Sequence, residues 1–251
     1  RDVYKRQTLA CQHLQKTTKR HVLKKLEMFP PGLDALYERM MQCISNNEEE
    51  EDAELCKQVL AAVALVYRPI TLEELVAIVE PLKDVTDHAD LKEIVSFCGS
   101  FLTLREQTFY FVHQSAKDFL FAKAAQEVFP AGQEAIHRTI LDESLRIMSS
   151  ALERDMYGLK ALGTSIDDVE VPQPDPLAAS RYSCVYWVNH LCDLKPTSST
   201  DYAGYLQDEG DVDRFLREKC LYWLESLSLC ESMPKGVVST RELHALVQVC
   251  S

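Results

Sequence analysis

The prediction of the fold starts from the stretch FYFVHQSAKDFL, residues 109–120. Its first four residues are typical of a β-strand, and Ser115 stands where an amphipathic helix can begin. The strand therefore ends at His113, directly before the helix. A histidine in this position can be held at the edge of a domain, with its imidazole pointing outward. We take this edge as the first candidate for function.

The neighbouring residues predict a small wing next to a group of helices. Segments 101–104 and 109–112 alternate around a polar tip, which predicts a β-hairpin. Three helical patterns precede the hairpin, at residues 55–66, 71–80 and 90–102. Three helices followed by a two-stranded wing describe a winged helix-turn-helix over roughly residues 54–120.

A capping box marks the start of the second of these helices. Thr71 and Glu74 have the required spacing, so that each side chain can bond a free backbone N–H of the first turn. Ile70 and Leu75 occupy the positions of a hydrophobic staple around the box. We therefore interpret Thr71 and Glu74 as structural caps.

Ser115 and Asp118 are separated in the same way at the start of the next helix. With His113 they could suggest a Ser–His–Asp triad. The cap reading is favoured, because a serine followed three residues later by an acid is typical of a helix start. We therefore expect Ser115 and Asp118 to be structural caps as well.

The C-terminal half predicts further amphipathic helices. Apolar residues recur at helical spacing over residues 136–152. Asp211 is expected to cap another helix, and a last helix is expected from Ser239 to Val249, after Pro234 and Gly236. The expected fold class is mainly α with a small β wing, a winged helix-turn-helix flanked by helical bundles.

Four segments follow from these patterns. Residues 8–48 are expected to be a helical segment, residues 49–128 the winged-helix domain and residues 129–251 a helical linker domain. Residues 1–7 resemble adapter read-through and are treated as a non-native, tag-like segment. The chain begins at Arg1 and not at methionine, which indicates a fragment of a longer protein.

The composition disfavours several classes of protein. The chain of 251 residues has 27 Lys and Arg against 39 Asp and Glu, a formal net charge of −12. An acidic surface repels phosphate backbones, so no nucleic-acid partner is expected. No apolar run approaches the roughly 20 residues that span a bilayer, so we expect no membrane contact. Nine cysteines without a signal peptide indicate reduced thiols and a cytoplasmic location.

The sequence contains no motif that would give this chain a catalytic centre. It lacks the phosphate loop GxxxxGK[ST], the dinucleotide motif GxGxxG and the esterase elbow GxSxG. Cys184, His190 and Cys192 come nearest to a metal cluster, but no CxxC pair accompanies them, so we expect core positions and no metal. We expect neither an enzyme nor a cofactor-binding protein in this chain alone.

A winged helix also permits DNA binding, which we keep as the alternative function. The third helix would read the major groove, yet residues 90–102 offer only Lys92, set between Asp90 and Glu93. Arg105 at the wing tip adds one further charge. Groove-reading elements normally carry several cationic or amide side chains, so packing against protein is the favoured use of the fold.

Several motifs resemble one family of fungal proteins. In chain order they are FPPGLDALYERM (29–40), YRPITLEEL (67–75), CGSFLTL (98–104), the His113 segment, PDPLA (174–178) and RYSC (181–184). Together they resemble fungal NACHT-type STAND NTPases related to vegetative incompatibility factors, over essentially Thr8 to Ser251. The same winged-helix region is also named after a glycosylphosphatidylinositol inositol-deacylase, which is only a label here, since the esterase elbow is absent.

The resemblance implies a regulatory region of a signalling NTPase. A NACHT module upstream of Thr8 would bring ADP or ATP with Mg²⁺, and residues 8–48 would end the region associated with it. WD-type repeats would follow downstream, and a homo-oligomer would form on activation. Such proteins act in the cytoplasm in vegetative incompatibility and fungal innate immunity. The parent would be an ATPase or GTPase, and this chain would control its opening without catalysing a reaction.

The resemblance also implies one site residue. In related animal and plant receptors, a histidine at the position of His113 touches the β-phosphate of bound ADP. His113 would therefore sense the nucleotide together with the upstream module. Gln114 departs from the plant receptors, in which aspartate follows the histidine.

Overall fold

A computed structural model of the chain describes residues 33–46, 50–84, 98, 101–159, 163–194 and 204–250. These residues are mainly helical and include one small antiparallel sheet, which confirms the coarse prediction of the fold class. Most of the helix expected at 90–102, the segment 1–7 and residues 8–32 of the expected helical segment lie outside the described residues. No described helix is both long enough and apolar enough to cross a membrane.

The described residues divide into two compact units. One unit contains those up to Leu72 and those from Pro81 to Gly132. The other contains Glu73–Glu80 and those from Gln133 onward. Each unit has its own buried apolar residues and is described separately below.

Two helices open the first unit. Helix α1 (Leu33–Ser45) buries Leu36, Tyr37 and Met40, which confirms the predicted helical spacing. Helix α2 (Glu50–Leu65) begins with three acidic residues, and negative charge in a first turn interacts favourably with the helix dipole. These acidic side chains therefore stabilise the start of α2.

A three-stranded antiparallel sheet follows, made of β1 (Ile70–Thr71), β2 (Leu102–Arg105) and β3 (Thr108–Phe111) in the order β1-β3-β2. The predicted hairpin is confirmed, with both strands shifted by one residue toward the turn. Glu106 and Gln107 form the turn with φ values of 47° and 65°. Two consecutive positive φ values match the twist of a tight hairpin.

The first strand was not predicted. Ile70 pairs with Phe109, and the Leu72 N–H donates to the carbonyl of Gln107 at 2.8 Å. Thr71 is the second residue of this strand and directly precedes helix α3 (Leu72–Ile78), where the cap was predicted. A 3-10 helix (Glu80–Asp84) follows α3.

The first unit is held together by an aromatic cluster. The ring of Tyr37 lies 5.8 Å from that of Phe101 and 5.4 Å from that of Phe119, and the two phenylalanine rings are 6.3 Å apart. Tyr37 and Phe101 are fully buried. Phe119 belongs to α4 (Gln114–Ala122), which is followed by the short α5 (Ala125–Val128). Aromatic pairs of this kind stabilise a core by about 0.5–1.5 kcal/mol each beyond their buried area.

The second unit is a group of packed helices: α6 (Gln133–Ala151), α7 (Arg181–Cys192), α8 (Asp211–Leu229) and α9 (Met233–Cys250). Trp187 of α7 meets Phe215 and Trp223 of α8 edge to face, at 5.5 Å and 5.6 Å between ring centroids. The indole N–H of Trp223 donates to the Cys184 carbonyl at 2.8 Å. These aromatic side chains pack in the core of the second unit.

Two predicted helix starts in this unit are wrong. The residue that caps α8 is Gly210, and Asp211 is the first helical residue. Helix α9 begins at Met233, six residues before the predicted Ser239. Proline is tolerated in a first helical turn. Gly236 has a packing role, because a Cβ there would lie 2.5 Å from a methyl carbon of Leu227.

Candidate functional site

His113 lies between the wing and α4. The Val112 N–H donates to the carbonyl of Phe101 at 2.9 Å, which fixes the chain just beyond β3. His113 then adopts extended backbone angles, with φ −157° and ψ 152°, and is the N-cap of α4. Its ring atom Nδ1 accepts the backbone N–H of Ser115 at 3.0 Å. The strand, histidine and helix occur in the predicted order.

The cap at this helix corrects one prediction. Ser115 was expected to cap the helix, but it is the second helical residue, and His113 has the capping role. Nδ1 of His113 supplies the acceptor that a serine hydroxyl would otherwise supply. Asp118 lies exposed and accepts a hydrogen bond from the Gln114 side chain at 3.1 Å, so it is not the capping partner of Ser115 either.

A chain of hydrogen bonds connects the ring of His113 to the core of the first unit. Ser115 Oγ lies 3.0 Å from His113 Nδ1, and the Tyr37 hydroxyl lies 2.9 Å from Ser115 Oγ. Burial raises the pKa of the Tyr37 hydroxyl above its usual value. The His113 ring itself is only partly buried. Within the described residues, its other nitrogen, Nε2, has no hydrogen-bond partner.

The other two predicted caps lie at the start of α3. Thr71 directly precedes the first helical residue, and Glu74 is buried at 1% exposure in the first turn. Ile70 and Leu75, the predicted staple, are both fully buried. The sequence positions of the capping box therefore coincide with the observed helix start.

His190 is part of a buried hydrogen-bonded chain. Its Nδ1 lies 2.8 Å from Nδ1 of His137, and its Nε2 lies 2.7 Å from the hydroxyl of Tyr182. Burial, with a smaller contribution from His137, lowers the pKa of His190 to about 3. In the part of the chain that the structure describes, no group of three or more His, Cys, Asp or Glu could hold a metal ion.

Sequence reasoning missed an ion-paired cluster at the start of α7. The carboxylate of Asp175 accepts from Arg181 Nε at 2.9 Å, from the Tyr157 hydroxyl at 3.0 Å and from the Leu177 N–H at 2.9 Å. Arg181 also donates to the Tyr157 hydroxyl. Desolvation and the bond to Asp175 raise the pKa of Tyr157 to about 12. The motif residues Asp175 and Arg181 thus fix the entry into α7.

Comparison with known proteins finds a similar fungal protein, in agreement with the resemblance to vegetative incompatibility factors. The relative found is the vegetative incompatibility protein HET-E-1 of Podospora anserina, which is 52% identical over 254 aligned residues. The alignment covers 95% of this chain and 18% of that protein, so the chain spans less than a fifth of its relative. No protein-family model matches the chain, and no solved structure matches it at a significant level.

Proposed function

We propose that this chain is a non-catalytic regulatory region of a signalling NTPase, and that it controls opening and oligomerisation by packing on a NACHT module elsewhere in the full-length protein. The observation that carries the proposal is the geometry of His113. Its Nδ1 is hydrogen-bonded to Ser115, while Nε2 has no hydrogen-bond partner among the described residues. An imidazole N–H so presented can donate to an anionic oxygen.

The small sheet that precedes His113 is compatible with the wing of a winged helix. Strand β1 adds to the hairpin to give the order β1-β3-β2. Two of the three helices predicted for the winged helix correspond to α2 and α3, and most of the third lies outside the described residues. The hairpin ends two residues before His113. The histidine is therefore attached to a small, hydrogen-bonded sheet.

His113 can make one contact to a nucleotide. His113 would donate from Nε2 to a phosphate oxygen of ADP, whereas this chain carries no phosphate loop. The NACHT module would bind the nucleotide and Mg²⁺ and supply any hydrolysis. WD-type repeats downstream and a homo-oligomer on activation complete the proposed setting, by analogy with the family.

A single hydrogen bond of this kind, which we call the latch, is strong enough to favour the closed state. Hydrogen bonds to charged groups contribute about 1.5–3 kcal/mol. A difference of that size between the closed and open states shifts their ratio by roughly ten- to over a hundred-fold. ADP would hold the region closed, and exchange for ATP would release it.

The structure determines which substitution tests this function cleanly. His113→Ala removes the latch but also removes the N-cap, which costs about 0.5–2 kcal/mol of stability. His113→Asn keeps a favoured capping side chain, but its amide is shorter than the imidazole. Both variants should raise the assembled fraction of the ADP-bound full-length protein, and only His113→Ala should lower the stability of the fold.

The measurement is the mass distribution of the ADP-bound protein in solution, with thermal unfolding recorded alongside. His244→Asn is the matched control, because His244 lies exposed on α9. We expect the control to stay unassembled, as the wild type does. An unchanged mass distribution for both His113 variants would contradict the proposed function.

A further inference from the structure

The tautomer of His113 follows from its contacts. A backbone N–H can only donate, so the 3.0 Å contact from Ser115 N to His113 Nδ1 makes Nδ1 an acceptor. In the neutral ring, a nitrogen that accepts carries no proton, and the single proton lies on the other nitrogen. The proton of neutral His113 is therefore on Nε2.

This assignment sets the direction of the remaining hydrogen bonds. Ser115 Oγ, at 3.0 Å from the bare Nδ1, must donate its only proton to it. With that proton used, Ser115 Oγ can only accept from the Tyr37 hydroxyl at 2.9 Å. The chain runs from Tyr37 O–H to Ser115 Oγ, and from Ser115 O–H to His113 Nδ1.

The far end of this chain is rigid. Tyr37 is fully buried, and its ring packs against Phe101 and Phe119. Its hydroxyl is thereby fixed in the core of the first unit, whereas the ring of His113 is partly exposed. The chain of hydrogen bonds therefore connects the hydroxyl of a buried tyrosine to the partly exposed ring of His113.

We infer that Ser115 and Tyr37 are positioning residues, which hold the His113 ring in the tautomer that carries its proton on Nε2. The ring geometry is independent of the proposed function. Its consequence for ADP rests on that function, because only the Nε2–H tautomer can donate from Nε2, which has no hydrogen-bond partner among the described residues. Removal of the Ser115 hydroxyl leaves the backbone N–H as the sole donor to Nδ1. Since one neutral hydrogen bond contributes about 0.5–1.5 kcal/mol, other ring states should become two- to ten-fold more populated.

The direct test is nitrogen NMR of the histidine rings in this chain at a pH of about 8.5, where neutral imidazoles predominate. We expect wild-type His113 to carry its proton on Nε2. Ser115→Ala should increase the other ring states two- to ten-fold, Tyr37→Phe should have a smaller effect in the same direction, and Ser115→Thr should restore the wild-type spectrum. Tyr110→Phe, at a 40% exposed tyrosine of β3, is the control. A wild-type proton on Nδ1, or ring spectra unaltered in both Ser115→Ala and Tyr37→Phe, would overturn the inference.

A second arm measures ADP release from the full-length protein. Ser115→Ala should accelerate release two- to ten-fold, less than His113→Asn does, and Ser115→Thr should release ADP at the wild-type rate. If His113→Asn leaves release unaltered, the latch of the proposed function fails, and the NMR result alone decides the positioning role. If His113→Asn accelerates release but Ser115→Ala does not, the positioning role is refuted while the latch stands.

Discussion

The buried pair of His137 and His190 makes the free energy of unfolding depend on pH. Both nitrogens of His190 are engaged, one by His137 and one by Tyr182. Nε2 of His137 lies 3.8 Å from the carboxylate of Asp193. Protonation of His190 would place a positive charge in a buried site next to His137. The pKa of His190 is accordingly lowered to about 3, first by burial and then by His137.

The lowered pKa predicts acid sensitivity. An unfolded histidine titrates near 6.5, so between about pH 6.5 and 3 the unfolded state binds the proton that folded His190 does not. The free energy of unfolding therefore falls as the pH falls, by about 1.4 kcal/mol per unit and about 2 kcal/mol at pH 5. Denaturant unfolding at pH 7.5 and pH 5 measures this loss.

His190→Gln isolates the contribution of this side chain. The variant should be less stable at pH 7.5, because a buried network loses a member, but its stability should fall less between pH 7.5 and 5. His244→Gln, at an exposed position, should retain the wild-type fall. An equal fall in His190→Gln and wild type would contradict the assignment of the acid sensitivity to His190.

At this scale the sequence predicted the place of His113 but not its hydrogen bonds. The order of strand, histidine and helix could be recognised from residue types alone. The capping role could not, because His113 and Ser115 both offer an acceptor near the helix start. The observed backbone angles decide for His113. The contact from Ser115 to Tyr37 joins residues 78 positions apart, which local spacing cannot reveal.

The turn of the hairpin formed by β2 and β3 has an unfavourable backbone conformation for its two residues. Glu106 and Gln107 both adopt positive φ, a conformation that costs most non-glycine residues about 1–2 kcal/mol. Nothing in the side chain of Gln107 is needed for its bond to Leu72, which uses the backbone carbonyl. This turn therefore contains strain that glycine would remove.

Gln107→Gly should raise the free energy of unfolding by roughly 0.5–1 kcal/mol, since relief of strain exceeds the added entropy of the unfolded chain. Gln42→Gly is the matched control, because Gln42 is exposed within α1. There the same change should lower stability by about 1 kcal/mol. Chemical denaturation of both variants gives the two signs, and a destabilised Gln107→Gly would contradict the strain argument.

The elements that periodicity can detect were predicted, and those that it cannot were missed. Helices α1 and α6 repeat apolar residues over several turns, so their patterns were clear. Strand β1 has two residues, too few to show any alternation. The start of α9 was misplaced because glycine reads as a break, while Gly236 in fact allows close packing on Leu227.

On the scale of the whole molecule, the net charge disfavours one of the functions that the sequence pattern permits. Its net charge of −12 opposes binding to DNA, the alternative considered from the winged-helix pattern. The chain is 52% identical to the vegetative incompatibility protein HET-E-1, over a region that makes up 18% of that protein. The cluster of Asp175, Arg181 and Tyr157 could not be predicted, because it depends on how a loop folds back onto α7.

The central claim is that His113 holds bound ADP in the full-length protein, and the dissociation rate of a fluorescent ADP analogue measures this most directly. His113→Asn preserves the cap and removes the imidazole, so we expect release to accelerate roughly ten- to over a hundred-fold. His244→Asn should release ADP at the wild-type rate. An unaltered rate in His113→Asn, with the fold intact by circular dichroism, would contradict the claim.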